Sequence, residues 1–247
     1  MNSYCESCFF LFRILQTCPR SYIFNQGDTT EKITEILWVF GSLQPYVIGL
    51  GLVLYTFFKR SSRSFLILSN ALITTFVCEV ILKRILAEAR PAGACSLSYG
   101  LPSGHSAFAA ALLTWFSLEY IFLNKDAMFK MSGHYSILRN IAFILIPFNP
   151  ISRYYLNYHH VKQIGYGLLT GFIITWIFFT VIIITHKQNN RFWSNLFYKL
   201  KLKDNFICSK GMNIDGSAKP VSSGTELQAV YSVRDTSNDS LEVSIRQ

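Results

Sequence analysis

Charge is scarce in this 247-residue chain: Asp, Glu, Lys and Arg together make up 15%, against about a quarter in a soluble domain. Carboxylates are scarcest, 14 against 23 lysines and arginines. That shortage excludes an acidic solvated protein. It also leaves no carboxylate cluster near the paired histidines to build a hard-cation centre. What fills the composition is apolar: 51% hydrophobic residues, 21 Phe and 13 Tyr, with a mean hydropathy of +0.29. The net charge of +9 sits in loops and the tail between apolar runs. That placement suits the orientation of a membrane protein and argues against a nucleic-acid binder.

Cysteine is equally uninformative as a framework. Cys5, Cys8, Cys18, Cys78, Cys95 and Cys208 are scattered, and Cys5-x-x-Cys8 lacks the second pair that a zinc site needs. A disulfide among Cys5, Cys8, Cys18 and Cys95 is compatible with an oxidising lumen, and the sequence does not choose a pairing. There are no internal repeats. Near the start, Cys8 to Leu15 is apolar but too short to span, and Arg13 interrupts it. No cleavable leader is therefore expected there.

Five runs approach the roughly 20 apolar residues that match a bilayer core. They are Ile33 to Phe58, Phe65 to Leu82, Gly104 to Leu123, Ile137 to Ile151 and Ile164 to Thr185. The fourth is the weakest, being short and carrying Pro147 and Pro150. Backbone groups in lipid must bond within their own segment, so the spans are helices. The expected fold class is an all-α, polytopic membrane helix bundle of about five transmembrane helices, with room for a sixth, re-entrant or interfacial. An N-terminal segment, 1–32, precedes the transmembrane domain, 33–185. A tail, 186–247, follows. From Asn190 to Lys203 the tail places Phe192, Trp193, Leu196, Phe197 and Leu200 on one helical stripe, which suits a helix in the membrane interface; a solvated, partly disordered tail is the alternative reading. Beyond Ser209, Ser, Gly, Asp and Asn predominate, a composition that reads as disorder.

Polar residues gather where the spans end, in three blocks: KRILAEARP from Lys83 to Pro91, LPSGHS from Leu101 to Ser106, and SRYYLNYHHVKQ from Ser152 to Gln163. Singly, each lysine or arginine would be explained by snorkelling. Jointly, Lys83, Arg90 and Arg153 supply three fixed cations, and arginine suits bidentate phosphate contact. Pro102-Ser103-Gly104-His105 opens a helix, whose free N–H groups and dipole favour an anion. His105 and His159 can divide nucleophile and proton work. Two spans separate their loops, so both lie on one membrane face. His160, adjacent in sequence, should point elsewhere. His134 and His186 are placed in loops and assigned no role. Glu79 stands four residues before Lys83 and suits an i,i+4 ion pair. Glu119 lies toward the far end of its span from the histidines.

These blocks resemble the superfamily of type 2 phosphatidic acid phosphatases, with its KxxxxxxRP, PSGH and SRxxxxxHxxxD signatures, over roughly Lys83 to Gly171. Gln163 stands where the superfamily has its aspartate. Together with Glu88-Ala89-Arg90-Pro91 and the Tyr99-to-Ser103 lead-in, it looks like the dolichyl pyrophosphate phosphatase branch. The resemblance implies that His159 attacks phosphorus and His105 protonates the leaving oxygen. Lys83, Arg90, Arg153, Ser103 and the Gly104 N–H would hold the phosphoryl group, and Gln163 would orient the nucleophile. No metal or other cofactor is implied. The implied activity is hydrolysis of dolichyl diphosphate to dolichyl phosphate and inorganic phosphate through a phosphohistidine, recycling the lipid carrier for N-glycosylation. Two other readings stay open: a broader lipid phosphatase acting on phosphatidate, sphingoid phosphates or other polyprenyl diphosphates, and a non-catalytic relative.

Lys59, Arg60, Arg63, Lys125, Lys130, Arg139, Lys187, Arg191, Lys199, Lys201 and Lys203 outnumber the cations of the opposite side. Positive charge marks the cytoplasm. The expected location is the endoplasmic reticulum membrane with the site facing the lumen, which leaves the Asn238 sequon cytosolic. Gln163, lacking a full charge, makes His159 a weaker base than an aspartate would. That predicts a preference for diphosphates over monophosphates.

Overall fold

The computed structural model describes residues 29–92, 94, 96, 98–123 and 133–203. The expectations for the N-terminal cysteines, Cys95, Lys125, Lys130, Asn238 and the distal tail lie outside them. The described residues form helices: α1 Thr29–Lys59, α2 Ser62–Phe76, a π-helical segment Val77–Leu82, α3 Lys83–Leu86, α4 Gly104–Leu123, α5 Gly133–Leu145, α6 Phe148–Tyr155, α7 Val161–Gln188 and α8 Asn190–Lys199. Among the described residues three stretches are long and apolar enough to cross a membrane: Ile33–Lys59, Ser62–Leu86 and Val161–Gln188. The described residues form a helical membrane bundle.

Helix α4 is apolar on every side, which marks a helix surrounded by others. Ala107, Ala109, Ala111, Leu112, Trp115 and Leu118 are all buried. Its closest neighbour is α7. A Cβ on Gly167 would collide with the Ser103 carbonyl oxygen, and one on Gly171 with that of Ala107. Small residues four apart let two backbones meet where lipid offers no hydrophobic drive for association. Asn70 of α2 donates to Thr175 Oγ1 of α7 at 3.0 Å, both buried, adding a polar tie across the same core. At the end of α4 far from the histidines, Glu119 is buried and paired with Arg63 at 3.1 Å.

The fourth expected span is broken. Helix α5 ends at Leu145 and α6 starts at Phe148, with Pro147 as its N-cap and Pro150 in its first turn. Proline lacks the N–H that an uninterrupted helix would require, but it fits a first turn. The break turns Ser152 and Arg153 into the bundle, both fully buried. Gly41 of α1 allows that approach, since a Cβ there would stand 3.2 Å from Ser152 Cβ.

After α7, Asn189 caps α8 by accepting from the Phe192 N–H at 3.1 Å. Of the expected stripe, Trp193 and Phe197 are buried in the bundle core, whereas Phe192 and Leu200 stay exposed. His186 is not in a loop: it lies in the last turn of α7, stacked on Trp193 with ring centroids 6.1 Å apart. His134 likewise falls in the first turn of α5.

Candidate active site

Three breaks in helical structure converge at one end of the bundle. The first follows α3, where Ala87 adopts φ 42° and returns its N–H to the Lys83 carbonyl at 3.1 Å. A left-handed cap stops a helix, and the residues beyond it reach the α6–α7 loop. Asn157 Nδ2 donates to the Ala92 carbonyl at 3.2 Å, and Gln163 Nε2 donates to the Ala89 carbonyl at 2.7 Å. The second break is the start of α4. Here the Ser103 N–H bonds the Gln163 carbonyl at 3.0 Å, and Ser106 Oγ donates to Ser103 Oγ at 3.0 Å. The third is the turn between α6 and α7, which carries His159.

Lys83, Arg153, His159 and Gln163 are 3%, 0%, 2% and 0% exposed, so the polar block is interior rather than snorkelling. Imidazole Nδ1 of His159 lies 2.9 Å from the Gly100 carbonyl oxygen and 3.3 Å from Gln163 Oε1. Both neighbours are acceptors, so Nδ1 carries the proton and Nε2 keeps its lone pair. Nε2 accepts from Arg90 Nη1 at 3.1 Å. The same guanidinium is braced by Ser98, whose carbonyl and hydroxyl oxygens each accept at 2.8 Å. Burial first, then the charges of Arg90, Arg153, Lys83 and His105, holds His159 well below the usual histidine range. The imidazole is neutral at pH 7 with its lone pair toward the cations.

Arg153 donates to Ser42 Oγ of α1 and lies over the Tyr158 ring at 4.4 Å. His105 meets the edge of Tyr46, ring centroids 5.7 Å apart, and hydrogen-bonds the Ser42 backbone. Its Nε2 is buried with no hydrogen-bond partner. Lys83 Nζ donates to both Glu79 oxygens, at 2.7 and 2.6 Å, and a Cβ on Gly104 would collide with the Glu79 carboxylate. Glu79 therefore sits over the N-terminus of α4, where the helix dipole favours an anion. It belongs to the π-helical segment, a distortion frequent at functional sites. Among the described residues no three His, Cys, Asp or Glu side chains are grouped to hold a metal ion.

All eight residues singled out from the sequence lie at this end of the bundle. His159 contacts Arg90 and Gln163 directly, and the charges of Lys83, Arg153 and His105 act on it. Exposed His160 points away and shares a capping box with Gln163 at the start of α7. Ser42, Tyr46 and Gly100 were not anticipated. Ser42 and Tyr46 share one face of α1, a single turn apart, but a serine and a tyrosine in an apolar run carry no signature. Gly100 acts through its carbonyl, which has no side-chain code. Its lack of a side chain is required, since a Cβ would stand 2.5 Å from Gln163 Nε2.

Comparison with known proteins gives this geometry a lineage. The PAP2 superfamily model matches residues 64–187. Dolichyldiphosphatase 1 of Rhinolophus ferrumequinum is 30% identical over 177 residues, covering 64% of this chain and 68% of the relative. Lipid phosphate phosphatase gamma of Arabidopsis thaliana is 31% identical over 153 residues, covering 60% and 65%. A crystal structure of a PAP2 type phosphatidylglycerolphosphate phosphatase from Bacillus subtilis aligns at TM-score 0.43 and 19% identity, covering 69% of this chain and 84% of that one. With half of its length in that family match, the chain belongs to the PAP2 superfamily and is a membrane lipid phosphatase.

Proposed function

We propose that the protein hydrolyses dolichyl diphosphate to dolichyl phosphate and inorganic phosphate. The observation that carries the mechanism is the Gly100 carbonyl 2.9 Å from His159 Nδ1, which leaves Nε2 as the nucleophile. Nε2 attacks the terminal phosphorus while the bond to the bridging oxygen breaks. That oxygen departs on dolichyl phosphate with the Nε2 proton of His105, which enters the step as the imidazolium once the anionic diphosphate offsets the surrounding cations and leaves it as the neutral ring bonded to the Ser42 backbone. Water then attacks the phosphohistidine, passes a proton to His105 and releases inorganic phosphate. Lys83, Arg90, Arg153, Ser103 and the Gly104 N–H carry the phosphoryl oxygens, in the manner of electrostatic stabilisation aimed at developing charge. Three fixed cations fill the role a divalent ion has elsewhere, so the reaction proceeds without one.

The phosphatase unit on this reading is residues 33–185, in the endoplasmic reticulum membrane with the site facing the lumen. The names of the dolichyldiphosphatase relatives support the substrate. The plant relative named a lipid phosphate phosphatase favours a second reading, in which other lipid phosphates are accepted. The test is phosphate release by the purified protein from dolichyl diphosphate, dolichyl phosphate and phosphatidate, with and without EDTA. Faster turnover of phosphatidate than of dolichyl diphosphate would overturn the first reading in favour of the second. Glycosylation of native Asn238 in cells would overturn the topology.

A further inference from the structure

Gln163 raises a question of charge. A carboxylate beside a catalytic imidazole orients it and raises its basicity, and a glutamine supplies only the orientation. The structure places the charge one residue further out. Gln163 Nε2 donates to Glu88 Oε1 at 3.1 Å, while Gln163 Oε1 faces His159 Nδ1 at 3.3 Å. A second path runs through the backbone. The Glu88 carbonyl accepts from the Gly100 N–H at 2.8 Å, and the Gly100 carbonyl lies 2.9 Å from the same Nδ1. Both acceptors that face His159 Nδ1 are thus tied to Glu88, Gln163 through the carboxylate and Gly100 through the backbone carbonyl.

We infer that Glu88 is the positioning carboxylate of this phosphatase: its charge polarises His159 through the Gln163 amide, and its backbone carbonyl holds Gly100, the other acceptor at Nδ1, in place. An amide is suited to the role, because it accepts at one end and donates at the other. Each bond in such a chain strengthens the next. Gln163 is fixed in that polarity: its Oε1 also accepts from the His160 N–H at 3.2 Å, and its Nε2 also donates to the Ala89 carbonyl. A flipped amide would oppose oxygen to oxygen at Glu88. Glu88 is ionised, since hydrogen bonds from Lys162 and Gln163 hold its carboxyl below the usual range, and the Lys162 contact is 2.8 Å. The groups acting on His159 from the other elements are the cations Arg90, Arg153 and Lys83, together with His105. All favour the neutral imidazole. Glu88 is the counterweight, and it stands outside their cluster where it does not compete for substrate phosphate.

The inference rests on His159 being the nucleophile, and the experiment separates the two. Glu88→Gln keeps an acceptor for Gln163 and removes only the charge. With dolichyl diphosphate in mixed micelles, kcat at pH 7 should fall about 10-fold or more, in the range of such supporting residues, with KM changed less than about 2-fold. The acid limb of kcat should move to lower pH by roughly half a unit, because His159 becomes less basic. Glu88→Asp, which keeps the charge, should restore the limb toward wild type. A Glu88→Gln protein whose pH limb is unmoved, while His159→Ala is inactive, overturns the inference alone. Activity in His159→Ala overturns the nucleophile assignment and the inference with it.

Discussion

Lys83 and Glu79 form a two-pronged ion pair, 2.6 and 2.7 Å, inside the pocket whose other charges await an anion. The carboxylate thus covers the α4 N-terminus that the reaction assigns to phosphate. Lys83 is buried but the Glu79 side chain is 37% exposed, so losing the carboxylate leaves a buried cation that water compensates only in part. Glu79→Gln should therefore melt below wild type, and an anion that replaces the lost carboxylate should restore it. The expected result is a larger rise in Tm on adding inorganic phosphate or vanadate to the variant than to wild type. Equal shifts would mean that the carboxylate does not share the anion's place.

The depressed proton affinity of His159 has a stability consequence whose sign is fixed. An unfolded histidine takes up a proton near pH 6.5, while the folded residue refuses it until a lower pH. The unfolded state then binds more protons, so stability falls as the pH drops through about 6.5 toward the folded value. In the substrate-free protein, His159→Asn should reduce the loss of Tm between pH 7.5 and 5.5. A loss as large as in wild type would place the titration elsewhere.

Gly100→Ala tests the clamp from the backbone side. Its methyl group would stand 2.5 and 2.6 Å from the Gln163 amide atoms, forcing the amide off His159. Turnover should drop about 10- to 100-fold, as when a supporting hydrogen bond is lost. Gly171→Ala, pressed against the Ala107 carbonyl, should instead lower stability by about 1–3 kcal/mol. Comparing kcat and Tm for the two proteins distinguishes a disturbed site from a disturbed bundle.

The helix-bundle class and the neighbourhood of the site were legible because they rest on side-chain type. Apolar runs announce helices in lipid, and Lys83, Arg90, Arg153 and the two histidines announce themselves by charge. What stayed hidden rests on backbone and on packing. The broken fourth span required knowing that Pro147 begins a new helix rather than bending an old one. Ser42 and Tyr46 of α1 reach the site because α1 packs closely on α6, where Gly41 lets Ser152 approach. Gln163 was visible as the neighbour of His159, but its second partner, Glu88, lies 75 residues away.

That partner alters the outcome expected for Gln163→Asp. The sequence alone predicts better hydrolysis of monophosphates relative to diphosphates, since an alkoxide leaving group demands a more basic nucleophile than a phosphate leaving group, whose second ionisation lies near ~6. Beside Glu88, however, an aspartate replaces a donor with a second negative charge. The single variant should lose activity on both substrates. In the double variant Glu88→Gln/Gln163→Asp the like charges are gone, and the ratio of kcat/KM for dolichyl phosphate to that for dolichyl diphosphate should rise above wild type. A ratio at or below wild type in the double variant would show that lipid fit, not nucleophile basicity, sets the preference.

The residues matched to the PAP2 superfamily begin at position 64, downstream of α1, which nonetheless holds Arg153 through Ser42 and meets His105 through Tyr46. A chain trimmed to that match keeps all five histidines together with Lys83, Arg90 and Arg153, yet lacks the helix that contacts Arg153 and His105. Helix α1 thus braces two groups of the site although it lies outside the family match.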